Sequence, residues 1–364
     1  MSPLNSMKNF SLSALLRENI KNIRPYSTAR DEYSGVALVN LDANENPFGA
    51  VDGSANNRYP DPYQTPLKQV IAHIKDVPAE QIFLGNGSDE CIDLIFKAFC
   101  NPGVDTAIIC PPTYGMYGVT ADINDVRCVS ISLTADFQLQ TEQIMQAVGE
   151  HTKLMWICSP NNPSGNLIKR ADIEHILHNF NGMVIIDEAY IDFADEPSWT
   201  LSLAKYPNLI VLQTFSKAWG LANIRLGMMF ASKEVIAVIN KIKLPYNLNG
   251  IVQTLAQEIL EQHASTKDIF VRDILHERAW LVEQLQQIKT AQKIYPSDAN
   301  FVLVKIQDAH ALYLYLVANG IIVRDRSKIE LCEDCLRITV GTHEENQMLI
   351  EKVTAFAVNE IVVS

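Results

Sequence analysis

Three absences limit what this chain can be. No apolar run approaches the roughly 20 residues that a membrane-spanning helix needs, and polar residues interrupt residues 1–30, so no signal peptide is predicted. Positive charge is scarce, because 30 Lys and Arg residues stand against 42 Asp and Glu residues, for a formal net charge of −12. Such a chain offers no basic surface to nucleic acid. We therefore expect a cytoplasmic protein that binds neither a membrane nor nucleic acid.

Cysteine is also scarce, with seven residues in a chain of 364. Cys332 and Cys335 form a C-x-x-C pair, but no second Cys or His pair at zinc spacing completes a set of four ligands. The others lie in apolar segments that favour buried helices and strands: Cys91, Cys100, Cys110, Cys128 and Cys158. The sequence therefore predicts reduced thiols and no metal site.

What the chain has in abundance is a regular alternation of short apolar runs with helical patterns. The runs are rich in Ile, Val and Leu, which is typical of βαβ units and a parallel sheet. The predicted strands cover residues 81–84, 106–110, 127–131, 153–158, 183–187, 209–213 and 226–230. Because most of them are almost continuously apolar, helices should cover both faces of the sheet. The pattern predicts a doubly wound α/β domain.

After about residue 245 the pattern changes. Long helical stretches run through about residue 287, and short strands are predicted at 301–305, 321–323 and 336–340, with helices between and after them. A chain of this length exceeds the size at which one core keeps growing. We assign residues 1–40 to an N-terminal arm that is part of the small domain, 41–265 to the large domain, and 266–364 to a small C-terminal α+β domain.

Four polar or glycine-bearing motifs follow directly on four of the predicted strands. They are GNGSDE at 85–90, SPNNPSG at 159–165, DEAY at 187–190 and TFSKAWGLANIRLG at 214–227. In an open parallel sheet the carboxyl ends of the strands border the ligand crevice. We therefore expect the four motifs to meet at one site.

The glycine-rich motif at 85–88 lies between a strand and an amphipathic helix. Backbone N–H groups and the helix N-terminus can receive a phosphate dianion there. An ordinary glycine turn with Ser88 as the N-cap is the structural alternative.

Lys217 follows Thr214 and Ser216 and precedes Arg225 by eight residues. A lysine becomes a Schiff-base nucleophile when burial and a nearby cation lower its pKa. The apolar flanks of Lys217 would provide the burial, and Arg225 would provide the cation. The two hydroxyls and the guanidinium would then hold a phosphate. A solvated surface lysine is the alternative.

Asp187 ends an apolar strand, where an unpaired carboxylate is unfavourable unless a cation meets it. The protonated pyridine nitrogen of a bound cofactor would be such a cation. Tyr190 and Asn162 could form hydrogen bonds to the phenolic oxygen of such a cofactor, and Tyr114 could stack on its ring. A helix cap for Asp187 and a packed aromatic for Tyr114 are the alternatives.

Together with LDANENPFG at 41–49 and RYPDP at 58–62, these motifs resemble those of fold-type I pyridoxal 5′-phosphate (PLP) enzymes, the aspartate aminotransferase superfamily, over residues 26–341. Within it they look most like the histidinol-phosphate aminotransferases, while aromatic aminotransferases and threonine-phosphate decarboxylases are similar in the same segments. The resemblance implies a large, mostly parallel sheet domain with a smaller α+β domain, a homodimer with shared active sites, and PLP as the cofactor. It also implies transfer of an amino group from histidinol phosphate to 2-oxoglutarate in histidine biosynthesis. An aromatic aminotransferase or a decarboxylase of a phosphorylated amino acid stays open.

Residue by residue, the resemblance implies that Lys217 forms the Schiff base and transfers protons, that Asp187 pairs with the pyridine nitrogen, and that Tyr190 contacts the phenolate oxygen. The implied cofactor ligands are Gly87, Ser88, Asp89 (through its backbone), Tyr114, Asn162, Asp187, Tyr190, Thr214, Ser216, Lys217, Arg225 and, from the neighbouring subunit, Tyr59. The implied substrate ligands are Tyr26, Asn46, Arg324 and Arg337. The resemblance leaves open whether Arg324 or Arg326 faces the substrate.

Overall fold

The computed structural model describes residues 10–24 and 38–363, with side chains up to residue 358. A seven-stranded sheet forms its centre. The strands are β1 (Ile82–Asn86), β2 (Thr106–Ile109), β3 (Arg127–Ser130), β4 (Thr152–Cys158), β5 (Met183–Asp187), β6 (Leu209–Thr214) and β7 (Leu226–Ala231). Their order is β1-β7-β6-β5-β4-β2-β3. Strand β7 is antiparallel to both of its neighbours, and the other pairs are parallel. All seven predicted strands are present, with ends within two residues of the prediction.

Helices cover both faces of this sheet, as the continuous apolar runs predicted. Within β5, Val184 and Ile186 belong to one apolar core, whereas Met183 and Ile185 belong to the core on the opposite face. The helices before the small sheet are α1 (Leu12–Leu15), α2 (Glu18–Lys21), α3 (Thr65–Lys75), α4 (Gly87–Phe99), α5 (Met116–Ile123), α6 (Thr141–Ala147), α7 (Arg170–Asn179), α8 (Lys233–Ile242) and α9 (Gly250–Gln286). Single 3-10 turns lie at Ala79–Gln81, Ile191–Phe193, Trp199–Ser202 and Ala222–Ile224.

A second, antiparallel sheet follows. It contains β8 (Ala291–Ile294), β9 (Phe301–Ile306), β10 (Arg324–Asp325) and β11 (Cys335–Thr339) in the order β10-β11-β9-β8, with helices α10 (Ala309–Ala318) and α11 (His343–Val363). The predicted strand at 321–323 is wrong. The amide of Ile321 instead donates to the carbonyl of Leu316 at 2.9 Å and closes helix α10, so pairing begins only at Arg324.

Helix α9 joins the two sheets. Near its start Leu260 packs in the core of the large sheet, and near its end Leu281 and Leu285 pack in the core of the small one. His263 interrupts the helix with non-helical backbone angles, φ −125° and ψ 17°. The predicted domain limit at 265/266 lies two residues beyond this bend and stays a prediction.

The described part of the arm lies on the large sheet. The amide of Arg17 donates to the carbonyl of Ala98 at 3.2 Å, and Ile20 is buried in the core that α4 covers. The prediction placed the arm with the small domain, but the apolar side chains of residues 10–20 find their partners beside α4 instead. Within the described ranges, no helix combines the length and the apolar character needed to span a bilayer. All seven cysteines are free thiols.

Candidate active site

A cavity of about 150 Å³ opens where β1, β4, β5 and β6 end. Eleven of the predicted cofactor residues line it: Gly87, Ser88, Asp89, Tyr114, Asn162, Asp187, Tyr190, Thr214, Ser216, Lys217 and Arg225. Three further lining residues were not predicted: Cys158, Ala189 and Ala222. Each of the three lies next to a predicted motif or within one, so proximity to the motifs was the available signal.

The first wall of the cavity is a close approach of two backbone segments. The amide of Gly87 donates to the carbonyl of Arg225 at 2.7 Å. A β-carbon at Gly87, whose φ is +71°, would lie 2.6 Å from Nη2 of Arg225, and one at Gly227 would lie 2.3 Å from the backbone of Gly87 and Ser88. Only glycine fits at either position. The N-terminus of α4 therefore faces the Arg225 guanidinium across a narrow cup that suits an anion.

Side-chain donors complete this cup. The Thr214 hydroxyl lies 3.0 Å from the Ser216 hydroxyl, and the Arg225 guanidinium lies 3.3 Å from a carboxylate oxygen of Asp89. The second oxygen of Asp89 accepts from the Tyr114 hydroxyl at 3.1 Å. Asp89 was expected to act through its backbone, yet its carboxylate also orients Arg225 and Tyr114. An anion in the cup has to share Arg225 with it.

Asp187 forms the floor of the cavity and is completely buried. One oxygen accepts from the Tyr117 hydroxyl at 2.7 Å and the other from the amide of Ala189 at 3.1 Å. Burial raises the pKa of Asp187, because an ionised carboxylate loses its hydration there. No Lys, Arg or His of the described ranges lies within ion-pair distance of it. A cation placed beside the Asp187 carboxyl group would therefore stabilise its ionised form.

Tyr117 is a residue that the sequence analysis missed. Its ring is buried and stacks on Trp156 with centroids 4.9 Å apart. Its position three residues after Tyr114, at the second residue of helix α5, was the only available signal.

Lys217 also lines the cavity. Solvent reaches its side chain through the open mouth, but surrounding protein atoms desolvate the ammonium and lower the pKa of Lys217, and the positive charge of Arg337 lowers it further. Nζ lies 5.7 Å from the centre of the Tyr190 ring. A lowered lysine pKa favours the neutral amine that a nucleophile or general base requires.

The two sheets meet at the mouth of the cavity. Arg337, on β11, donates to the side-chain oxygen of Asn162 at 2.5 Å, and the amide group of Asn162 lies 3.5 Å from the Tyr190 hydroxyl. Phe301, on β9, packs edge-on against Tyr190 at 5.1 Å and carries the Arg337 guanidinium over its face at 5.2 Å. The small sheet thereby places a guanidinium beside the cavity.

Asn46, Tyr59 and Arg324 do not line the cavity of a single chain. Asn46 is exposed and its side chain accepts from the amide of Phe48 at 3.0 Å. Tyr59 stacks on Tyr246 at 4.5 Å in a separate groove of about 970 Å³. Arg324 lies opposite Arg337 in the β10–β11 ladder, and Tyr26 falls outside the described residues.

Comparison with known proteins assigns the chain to a family. The family model for aminotransferase class I and II matches residues 36–353. The histidinol-phosphate aminotransferase of Cytophaga hutchinsonii is 54% identical over 342 residues, which are 94% of this chain and 98% of that protein.

Solved structures agree on the fold. The histidinol-phosphate aminotransferase of Clostridium acetobutylicum superimposes with a TM-score of 0.77 at 24% identity, over 84% of this chain and 92% of that one. The enzyme of the same name from Sinorhizobium meliloti, solved in complex with pyridoxal-5′-phosphate, gives 0.77 at 22% identity over 87% and 90%. The chain belongs to the aminotransferase class I and II family.

Proposed function

We propose that this chain is a PLP-dependent aminotransferase that converts histidinol phosphate and 2-oxoglutarate to imidazole-acetol phosphate and glutamate, in histidine biosynthesis. The observation that carries the proposal is the pairing of Asp187, a buried carboxylate, with Lys217, a lysine of lowered pKa, across one cavity. The substrate assignment rests on the extent of similarity to a relative with that activity in its name.

The residues of the cavity fit PLP. The glycine-lined cup at the N-terminus of α4 suits its phosphate, with Ser216 and Arg225 as further donors. The buried carboxylate of Asp187 lacks a cation, which a protonated pyridine nitrogen supplies. Asn162 and Tyr190 lie on the side where the phenolic oxygen would be bound.

When bound, the cofactor supplies an electron-poor ring that makes the proton on the substrate Cα acidic. Asp187, whose two oxygens are held by the Tyr117 hydroxyl and the Ala189 amide, would pair with the protonated pyridine nitrogen. Lys217 would hold the cofactor through its amine, and the free amine would act as general base on the substrate Cα proton and as general acid when that proton is returned. Desolvation by the surrounding protein atoms and the charge of Arg337 lower the pKa of that amine, which favours its neutral, basic form.

Arg337 recognises the substrate anion. Its guanidinium lies at the cavity mouth, where it donates a hydrogen bond to Asn162. A guanidinium can form paired hydrogen bonds to a phosphate or to a carboxylate. The phosphate of histidinol phosphate and the carboxylate of glutamate occupy this position in alternate half-reactions. Arg324, Asn46 and Tyr26 are proposed as additional substrate ligands.

We also propose a homodimer in which each chain completes the site of its partner through Tyr59. Supporting it, the groove that contains Tyr59 is bordered by side chains that a lone chain leaves exposed. They include Ile251 and Leu255. Elsewhere the chain also leaves Leu41, Phe48 and Leu244 exposed, and such exposure indicates an interaction surface. A cytoplasmic location is proposed as well, and the seven free thiols are compatible with a reducing compartment.

The chemical assignment is tested by a half-reaction with glutamate. An aminotransferase converts its bound PLP to pyridoxamine phosphate, and the absorbance of the PLP form disappears without any second substrate. Histidinol phosphate, phenylalanine and tyrosine are then compared as donors by kcat/KM. Persistence of the PLP absorbance with glutamate, together with release of carbon dioxide from a phosphorylated amino acid, would establish the decarboxylase instead.

Mixed dimers test the shared site. Tyr59→Phe impairs every site of its own homodimer by weaker cofactor retention, and Lys217→Ala abolishes the chemistry in every site of its own. A heterodimer of the two variants has one site in which both residues are intact. Activity at limiting PLP should therefore exceed that of either variant alone. If heterodimers form and activity does not rise, Tyr59 does not act across the interface.

A further inference from the structure

Three arginines lie together on the substrate side of the site. Arg324 and Arg337 face each other across the β10–β11 ladder, and the amide of Arg326 extends that ladder by donating to the carbonyl of Cys335 at 2.9 Å. Alternate residues of an extended segment point to the same face, so Arg324 and Arg326 share one. Arg324 is exposed and Arg326 is half-buried. Arg326 is therefore the deeper of the two.

The carboxylate between them does not neutralise this pair. Asp325 lies on the alternate face, where one oxygen is 2.7 Å from Nδ1 of His310 and the other accepts from the amide of Ser327 at 2.8 Å. Across residues 38–358, none of the three guanidinium groups has a carboxylate within ion-pair distance. Among the described residues, the cluster is a concentration of positive charge without a carboxylate counter-ion.

The guanidinium groups also retain unused donors. The Nε atoms of Arg326 and Arg337 are both buried and form no hydrogen bond. Burial lowers the pKa of both side chains. The charge of Arg324 lowers the pKa of Arg326 further, and the charges of Arg326 and Arg324 lower that of Arg337. A buried donor without an acceptor is unfavourable unless a ligand meets it. These donors are therefore available to an anion that enters from the cavity mouth.

We propose that Arg326 is a specificity-determining residue, which with Arg324 and Arg337 selects substrates that carry a phosphate dianion over substrates that carry a carboxylate. This rests on the proposed function, in which both anions use the same position. A carboxylate has one charge and two oxygens, which Arg337 alone can satisfy with a paired interaction. A phosphate monoester has about −1.5 to −2 charges and three free oxygens, and it uses the additional guanidinium.

The experiment compares Arg326→Gln and Arg326→Lys with Lys328→Gln, a control that removes a positive charge from an exposed position of the same segment. The PLP-loaded enzyme is assayed for KM with histidinol phosphate and with glutamate. Binding of inorganic phosphate and of acetate to the same enzyme is measured by calorimetry. Because PLP fills the cofactor cup, added phosphate reports on the arginine cluster.

For Arg326→Gln we expect KM for histidinol phosphate and Kd for phosphate to rise roughly tenfold to hundredfold, as for lost hydrogen bonds to charged groups. KM for glutamate and Kd for acetate should change less than about threefold, since Arg337 suffices for a carboxylate. Arg326→Lys should keep part of the phosphate preference because it keeps the charge, and Lys328→Gln should match the parent protein.

Equal losses with both anions, or no loss with either, would overturn the proposal. Retained PLP absorbance and an unchanged thermal midpoint exclude misfolding as the cause of a loss. Should the parent enzyme fail to use histidinol phosphate while Arg326→Gln still weakens phosphate binding selectively, the proposed substrate is wrong and the anion selectivity of Arg326 stands.

Discussion

The two anion-binding regions of this molecule are built differently. In the cup at the N-terminus of α4, backbone amides and hydroxyls dominate, and the one guanidinium is already paired with Asp89. At the small sheet, three guanidinium groups lie together, and no carboxylate from the described part of the chain pairs with them. A group that stays bound can be held by short, fixed donors. A substrate that enters and leaves at every turnover is attracted by charge that the protein itself does not neutralise.

The two regions also differ in how far their hydrogen-bonding groups are satisfied. Around Asp187 every carboxylate oxygen has a donor, whereas around Arg337 and Arg326 buried donors lack acceptors. Substitutions at the large sheet should therefore affect the chemical step, and substitutions at the small sheet should affect substrate binding. Four variants test this contrast, from the largest expected effect to the smallest.

Lys217→Ala should reduce turnover about 10⁴-fold or more, because covalent attachment and proton transfer both depend on the amine. The protein should fold and still bind PLP weakly through the cup. Single-turnover absorbance changes with glutamate measure the first effect, and equilibrium dialysis of PLP measures the second. Transamination at more than a trace level would refute the assignment of Lys217.

Asp187→Asn should lower kcat/KM by about 3 kcal/mol of transition-state stabilisation, roughly 150-fold, because the amide keeps the shape of the carboxylate but not the charge that holds the pyridine nitrogen protonated. The same substitution should stabilise the cofactor-free protein. Because burial raises the pKa of Asp187 in the folded state, folding stability falls as pH rises from the unfolded value, about 4, through the folded value.

The Asn variant does not ionise at this position and escapes that loss. At neutral pH its cofactor-free form should have a higher thermal midpoint, by about 2 °C or more, and the gain should vanish below about pH 4. A lower midpoint at pH 7, or near-normal activity with PLP, would contradict the assignment of Asp187.

Arg337→Lys should raise KM for histidinol phosphate and for glutamate together, roughly tenfold to hundredfold, with little change in kcat. A lysine keeps the charge but cannot form the paired interaction. Steady-state kinetics with each substrate varied in turn provide the measurement. A variant impaired with only one of the two substrates would show that they do not share a site.

Tyr117→Phe should have the smallest effect, about fivefold at neutral pH, which corresponds to the loss of one hydrogen bond. Burial raises the pKa of Asp187 and the Tyr117 hydroxyl opposes that rise, so its removal moves the pKa further upward. Activity should then be lost at a higher pH as the solution is acidified. Tyr114→Phe is the control, since its hydroxyl donates to Asp89 instead. Identical shifts of the acidic limb in both variants would rule out a specific role for Tyr117.

The sequence predicted the large sheet and its cavity well, for a physical reason. Seven apolar runs identify strands, and polar motifs directly after four of them meet because parallel strands end at one edge. Strand β8 was missed, since its four residues are at most partly buried and carry no apolar pattern. The segment at 321–323 is as apolar as a strand, yet its first amide closes a helix. The apolar character of a short segment does not show whether its backbone amides pair with a neighbouring strand or close the preceding helix.

The contact between Tyr117 and Asp187 was equally beyond sequence reasoning. It joins residues 70 positions apart, and it depends on the direction in which α5 leaves the sheet. The choice between Arg324 and Arg326 stayed open because alternation places both on one face, and only the depth of burial separates them. Tyr59 and Asn46 belong to loops, where periodicity carries no information about distant partners.

The bend in helix α9 has a mechanical consequence. From His263 to Gln286 the helix contains 24 residues, roughly 35 Å at the usual rise, so a change of about 10° in the bend would carry its far end through about 6 Å. That end packs against the sheet that carries Arg337. A change in the bend at His263 would therefore move Arg337 relative to Asn162.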